Sequence, residues 1–160
     1  CKYIVIANFR YTEGIDGLQL ACDYFNLVGK KVKDKGLKLC YHNSTMETGL
    51  VENGIIMDYL LTHTDPELFF FELDLLHFTE GGLDPVSYLK KYPDRFILLH
   101  VSDKDVAGAS GTIDMKSIFG QFYSNGFSDY FIEVERLGNF TAEEALKLSA
   151  DFAINAPFVK

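Results

Sequence analysis

The sequence has little that would support a disulfide scaffold, a membrane span or a nucleic-acid-binding surface. Three cysteines among 160 residues are an odd number without CxxC spacing, so a disulfide framework and a zinc ribbon are both poorly supported. No apolar run approaches the roughly 18 residues of a transmembrane helix. The net charge is -8 and no basic cluster offsets it, which argues against nucleic-acid binding.

The same absences set expectations for location and architecture. No signal-peptide pattern is present and the odd cysteine count favours a reducing compartment, so we expect a cytoplasmic protein; a periplasmic or lipoprotein form stays open. The predicted loop over residues 8–17 holds no GxGxxG, which argues against a Rossmann-like sheet. With 48% hydrophobic and 24% charged residues, the chain can form a sizeable core, and we predict one domain over residues 1–160.

Short apolar runs alternate with helical patterns five times along the chain. The predicted strands are residues 3–7, 37–42, 68–74, 96–101 and 130–134. Apolar strands separated by helices indicate an α/β fold with a parallel sheet covered on its faces. A (β/α)₈ barrel uses about 31 residues per unit, so we predict a partial parallel (β/α) barrel of about five βα units.

Helical spacing and capping signals fill the segments between these strands. The first predicted helix, residues 18–35, ends before Gly36 and keeps its apolar residues on one face: Leu20, Tyr24, Leu27, Val28 and Val32. Further helices are predicted over residues 54–64, 84–92, 114–125 and 141–153. Residues 43–53 and 102–112 are predicted to be loops.

The stretch 68–74, Leu-Phe-Phe-Phe-Glu-Leu-Asp, combines an apolar strand with two acids. Alternate residues of a strand face the same side, so Phe70, Glu72 and Asp74 share one side. A buried carboxylate costs several kcal/mol unless it is paired or binds a metal. Similar polar residues stand at or just after the other predicted strand ends, where α/β proteins build their sites: His42, Glu47, His100, Asp103, Glu133 and Glu135. Carboxylates with one imidazole suit Mn²⁺, Mg²⁺ or Co²⁺.

Each of these residues also has a purely structural interpretation. Asp74 could cap a turn or the next helix, and His100 could be a satisfied core histidine. Glu47 could be solvated in its loop, and Glu133 could pair with Arg136 or Arg10. Three successive strands that all end in ligand-type residues nevertheless favour a common site.

The motifs along the chain resemble the sugar phosphate isomerase/epimerase family, which consists of xylose isomerase-like TIM barrels. The resemblance rests on Tyr41-His42-Asn43 with Glu47, and on residues 71–74, 81–93, 99–103 and 111–114 with Glu133. It covers residues from about 3 to 153 and matches the C-terminal portion of that fold, strands four to eight.

The resemblance implies one divalent metal (Mn²⁺, Mg²⁺ or Co²⁺, with Zn²⁺ possible), bound by Glu47, Asp74, His100 and Glu133. His42 is the reserve ligand if Glu47 lies too far out. The implied activity is a metal-dependent sugar or keto-sugar isomerase or epimerase, in which Glu47 and Glu133 move a proton beside a carbonyl through a metal-stabilised enediolate. Residues implied to contact a small sugar substrate or to orient the ligands are His42, Glu72, His77, Asp103 and Glu135. A homo-oligomer is an open expectation.

The sequence departs from the family pattern at two places, and rival functions follow. Ser44 stands where the family usually has a second histidine, and Leu76 and His77 replace an aromatic pair. A metal-dependent lyase or hydrolase of keto-sugars on the same scaffold stays open, as does a non-catalytic TIM-barrel-like domain. The DNA-repair endonuclease branch of the fold is disfavoured by four histidines and a charge of -8.

Overall fold

Five parallel strands form the centre of the fold: β1 (Tyr3–Ile6), β2 (Lys38–His42), β5 (Phe69–Asp74), β6 (Phe96–Val101) and β7 (Tyr130–Ile132). They pair in the order β1-β2-β5-β6-β7. A small antiparallel hairpin joins β3 (Leu50–Val51) and β4 (Gly54–Ile55). The computed structural model of the chain describes residues 1–10, 14–52 and 54–160.

Helices connect the parallel strands and cover one face of their sheet. They are α1 (Gly14–Lys33), α2 (Ile56–His63), α3 (Leu75–Glu80), α4 (Pro85–Lys91), α5 (Met115–Ser124) and α6 (Ala142–Asn155), with a short 3₁₀ helix at Thr45–Thr48. The sheet curls into a half-barrel, so the predicted partial barrel is confirmed. None of the helices in the described ranges is long and apolar enough to cross a membrane.

The strand β5 separates two apolar layers, as its alternating pattern predicts. Phe69, Phe71 and Leu73 are buried in the large core between the sheet and the helices. Phe70 instead packs against a small cluster of Cys40, Ile97 and Leu98. This second cluster partly fills the concave side of the sheet, where Glu72 and Asp74 also face the histidines at the neighbouring strand ends.

The N-terminal ends of the two outermost strands meet across the concave side. The hydroxyl of Tyr3 on β1 donates to Oδ2 of Asp129, just before β7, at 2.5 Å. Nζ of Lys2 lies 3.3 Å from the same oxygen. These contacts join residues more than 120 positions apart in the sequence and link the two edges of the half-barrel.

Several sequence-based expectations about the elements are wrong in detail. The helix α1 buries Leu18, Ala21 and Phe25, whereas Leu20, Tyr24 and Leu27 of the predicted apolar face are exposed; the valines of that face are partly buried against the core. This helix carries apolar residues on both faces, and spacing alone does not tell which one meets the sheet. In the predicted loop 8–17, α1 already begins at Gly14, and residues 11–13 lie outside the described residues, as does Asn53 at the end of the predicted loop 43–53.

Three further differences change the surroundings of the candidate site. The predicted loop 43–53 contains the 3₁₀ helix and β3, and the predicted helix 54–64 begins only at Ile56 because β4 precedes it. Helix α3 was not predicted, since its six residues follow β5 without a break. The last strand ends at Ile132 instead of residue 134, so Glu133 and Glu135 lie in the loop beyond it.

Candidate metal centre

Asp74 is the fixed point of the candidate site. It ends β5, caps α3 and has no exposed surface. Its Oδ1 accepts the backbone N–H of His77 at 2.6 Å, and its Oδ2 accepts the hydroxyl of Ser102 at 2.9 Å. The capping role considered from the sequence therefore occurs, and it directs Oδ2 towards the neighbouring strand ends.

Two histidines converge on Oδ2 of Asp74. Nδ1 of His100, on β6, lies 3.2 Å from this oxygen, and Nε2 of His42, on β2, lies 3.4 Å from it. The same two ring nitrogens are also in close contact with each other. Parallel pairing explains the convergence, because β2 and β6 flank β5 and all three strands end at the same edge.

The His42–Asp74–His100 group has the chemistry of a divalent-metal site. Its three ligand atoms lie within 4.8 Å of one another. Ligands about 2.0–2.2 Å from one ion are roughly 3–3.5 Å apart at tetrahedral angles, which fits the two distances to Asp74. Two imidazole nitrogens that face each other beside a buried carboxylate are stabilised by a cation between them. The residues therefore fit a metal, and two imidazoles with one carboxylate suit zinc, iron or cobalt better than magnesium.

Burial and hydrogen bonding compete in setting the charges of this group. Burial raises the pKa of Asp74, but hydrogen bonds from His100, His42 and the backbone N–H of His77 outweigh it and hold that pKa well below its usual value. Burial lowers the pKa of His100. The hydrogen bond to Asp74 and the charges of the nearby carboxylates raise it by more than this, so the net shift of the pKa is upward. Asp74 therefore stays ionised, as a metal ligand must.

Glu133 contacts the opposite side of the His100 ring. Its Oε2 lies 3.0 Å from Nε2 of His100, and the glutamate side chain is about half exposed. Carboxylates often hold a metal-binding histidine in this way and fix which nitrogen faces the ion. The alternative considered from the sequence, an ion pair of Glu133 with Arg136, is not formed: Arg136 makes a two-pronged ion pair with Glu80 at 2.9 and 3.0 Å.

Glu47, the first ligand implied by the family resemblance, lies apart from this group. It is fully buried, not solvated, and it closes a capping box on the 3₁₀ helix. Its Oε1 accepts the hydroxyl of Tyr41 at 2.8 Å, and its Oε2 accepts the backbone N–H and the hydroxyl of Ser44 at 2.7 and 2.9 Å. The reserve ligand His42, in contrast, lies close to both Asp74 and His100.

Glu72 is buried beneath the metal group. It pairs in register with His42 and is only 6% exposed. Among the described residues, its carboxylate has no hydrogen-bond partner. Burial raises its pKa, and the charges of His100 and His42 offset this only in part. A carboxylate to which no protein group donates is available to a ligand.

His77 and Glu135 form a second group on the other side of Asp74. Nδ1 of His77 lies 3.4 Å from Oδ1 of Asp74, and its Nε2 lies 3.4 Å from Oε2 of Glu135. Both side chains are partly exposed and so reachable from solvent. Asp103 is different, because its carboxylate accepts the backbone N–H groups of Lys104 and Ser110 and shapes its own loop.

Sequence reasoning missed two small polar residues that hold the ligands. Oδ1 of Asn43 accepts the backbone N–H of Asp74 at 3.0 Å, and Ser102 binds Asp74 as described above. Both Asn43 and Ser102 are fully buried. Each directly follows the last residue of an apolar strand, and that position is the signal that could have found them.

The sequence has relatives among curated enzymes, although no family model matches it. The inosose dehydratase of Clostridium beijerinckii is 34% identical over 98 residues, which are 61% of this chain and 32% of that protein. Inosose dehydratase 2 of Bacillus cereus is 34% identical over 106 residues, 65% of this chain and 34% of that protein. The chain spans about a third of the length of these curated relatives.

The fold is shared with solved structures over nearly the whole chain. A sugar phosphate isomerase/epimerase from Parabacteroides distasonis is 36% identical at a TM-score of 0.94, with 100% of this chain and 61% of that chain covered. The predicted family resemblance is confirmed. The sugar phosphate isomerase/epimerase fold also occurs in the IOLI protein solved with a binding zinc atom, at 18% identity and a TM-score of 0.71 over 96% of this chain and 62% of that one. This last likeness shows the fold alone.

Together these relatives indicate the xylose isomerase-like superfamily of sugar isomerases, epimerases and dehydratases. The curated relatives are named as dehydratases, which are lyases, whereas the sequence-based prediction is an isomerase. The relatives therefore support the superfamily and do not decide between the two enzyme classes. A divalent metal agrees with the chemistry of the His42–Asp74–His100 group.

Proposed function

We propose that the protein is a metal-dependent enzyme that removes a proton from the carbon beside the carbonyl group of a keto-sugar. The observation that carries this proposal is the buried His42–Asp74–His100 group, with the half-exposed Glu133 at its edge. A divalent cation bound there would supply positive charge for the negative charge that develops on the sugar oxygen.

The geometry favours Glu133 as the proton acceptor. Its side chain is half exposed and its carboxylate already contacts His100, so a substrate above the metal group would approach it. Both oxygens of Glu47 are occupied by Tyr41 and Ser44 inside the protein. The role of Glu47 as metal ligand and second acid/base stays a prediction, and the contacts of this chain support His42 in its place as ligand.

Two outcomes can follow the loss of the proton. Its transfer by Glu133 to the former carbonyl carbon gives an isomer, whereas protonation of the original carbon on its opposite face gives an epimer; an isomerisation or epimerisation is the reaction that we expect. The second candidate is dehydration, favoured by the inosose dehydratases among the relatives. In that case the adjacent C–O bond breaks, the electron pair leaves with the oxygen, and a proton from His77, which lies beside Glu135, completes the water molecule.

The metal assignment is tested by comparing two variants. We expect His42→Ala to weaken Zn²⁺ or Mn²⁺ binding by on the order of 100-fold or more, because one of three ligands is lost. Glu47→Gln should leave the affinity within a few-fold. Isothermal titration of metal-stripped protein measures both. The opposite pattern, with Glu47 essential and His42 dispensable, would restore the ligand set implied by the family resemblance.

The reaction is tested by proton exchange in ²H₂O. With metal present, the protein should introduce deuterium beside the carbonyl group of a keto-sugar, and Glu133→Gln should abolish this exchange while metal binding persists. Loss of water from the substrate instead of simple exchange would identify the dehydratase. A protein that binds no metal and exchanges no proton would support the non-catalytic domain.

A further inference from the structure

A cavity of about 700 Å³ opens at the carboxyl ends of β1 and β2. Its polar lining comes from Asn8, Arg10 and Ser44, and its apolar wall includes Leu18 and Ile56. Ser44 stands two residues after His42, and two residues span at most about 7 Å. The cavity is therefore within reach of a sugar-sized molecule held at the metal group.

Arg10 is one of three arginines in an acidic chain. The sequence has 23 acidic and 15 basic residues, and the other two arginines are bound: Arg95 to Leu61 and Thr64, and Arg136 to Glu80. Among the described residues, Arg10 has no hydrogen bond or ion pair. Of the described residues that line this cavity, Arg10 alone carries a positive charge.

The charges on the two sides of this end of the sheet are opposite. The carboxylates of Glu72, Asp74 and Glu133 cluster at the ends of β5 and β7, while Arg10 follows β1 on the far side of β2. A molecule with one anionic end would be repelled by the acids and attracted by the guanidinium group. Its neutral, reacting end would then lie at the metal group.

We propose that Arg10 binds an anionic group, a carboxylate or a phosphate, at the end of the sugar substrate remote from the reacting carbon. The planar guanidinium group offers two parallel N–H donors to such an anion. The Asn8 amide is a further donor in the lining, and the apolar wall of Leu18 and Ile56 can cover the carbon chain. This inference names the substrate class of the proposed enzyme and rests on that proposed function.

Binding to the metal-stripped protein separates the inference from the metal chemistry. Isothermal titration would use a hexose 6-phosphate, a hexuronate, inorganic phosphate and a neutral hexose as probes. We expect at least one of the two sugar anions to bind on the order of tenfold more tightly than the neutral hexose, and Arg10→Gln to remove this difference. Lys35→Gln, which removes an exposed cation elsewhere, should leave it unchanged. The phosphate and uronate titrations identify which anion is preferred.

The result that overturns the inference is equal binding of neutral and anionic sugars, or anion binding that survives in Arg10→Gln. A preference that Lys35→Gln abolishes equally would also overturn it, because it would reflect the overall charge. The metal titration of His42→Ala reports separately on the proposed function. If that titration fails while Arg10-dependent anion binding holds, the cavity is an anion site and the proposed reaction is wrong.

Discussion

At the scale of single residues, Glu72 shows a conflict between stability and binding. The residue is 6% exposed, and no donor within the described residues binds its carboxylate. Glu72→Gln removes the charge and keeps the shape, so we expect the free energy of unfolding at pH 7 to rise by about 1 kcal/mol. If the carboxylate accepts a sugar hydroxyl, KM should rise in the same variant.

The destabilisation of the native state by the ionised Glu72 should depend on pH. Burial raises the pKa of Glu72, so the native state holds its proton more tightly than the unfolded chain. The destabilisation is absent below the unfolded pKa of about 4.3 and grows as pH rises above it. Urea unfolding of both proteins at pH 4 and pH 7 measures the difference. A Glu72→Gln variant that is less stable at pH 7 would mean that the carboxylate has a stabilising partner.

The metal group shows why residues of similar chemistry can be confused in a sequence. His42 ends the second strand and Glu47 follows five residues later, and the family resemblance favours the glutamate. Ser44-Thr-Met-Glu47 is also the pattern of a capping box, Ser followed three residues later by Glu, and the structure uses it as one. This capping box could have been predicted from the sequence alone. The contact between His42 and His100, 58 residues apart, depends on the order of the strands in the sheet and could not be predicted from a local pattern.

At the scale of elements, the packing of α1 against β5 leaves no space beside Gly29. A Cβ atom on Gly29 would lie 2.9 Å from the backbone carbonyl carbon of Leu68. Alanine normally stabilises a helix relative to glycine by about 1 kcal/mol, but here the contact is with backbone. We therefore expect Gly29→Ala to lower the free energy of unfolding by about 1–3 kcal/mol.

The matched control is Gly120 in α5, where a Cβ atom would meet nothing within 4 Å. Gly120→Ala should raise the stability by up to about 1 kcal/mol through helix propensity alone. Urea denaturation of the two variants gives both values. If both substitutions stabilise the protein, α1 is not packed as closely against the start of β5 as the structure has it.

The sequence predicts an element well when its apolar pattern is compatible with only one way of burying it. The strands β5 and β6 are apolar on both faces and begin and end within one residue of the prediction. Helix α1 has two apolar faces. Leu18 and Phe25 lie on the buried face, and Leu20 and Leu27 lie on the exposed one. Only the position of the sheet decides which face is buried. Helix α3 was missed because the cap that starts it, Asp74, is also the last residue of a strand.

At the scale of the whole molecule, the half-barrel is linked across its concave side by Tyr3 and Asp129. The Tyr3 hydroxyl lowers the pKa of Asp129, and Lys2 adds a smaller effect because it is exposed. Tyr3→Phe should lower the free energy of unfolding at pH 7 by about 1 kcal/mol, the value of one hydrogen bond. Lys2→Gln should cost less than about 0.5 kcal/mol.

Acid should remove this contribution, because a carboxyl group whose pKa is lowered by folding stabilises the native state only when it is ionised. The Asp129 contribution is complete above the unfolded pKa of about 3.9 and is lost as pH falls through the lower native value. The stability difference between the protein and Asp129→Asn should therefore be largest near pH 6 and shrink towards pH 2.5 in urea unfolding. A difference that is constant with pH would mean that the ionised carboxylate does not bind Tyr3, and that the two edges are linked by packing around Phe70 alone.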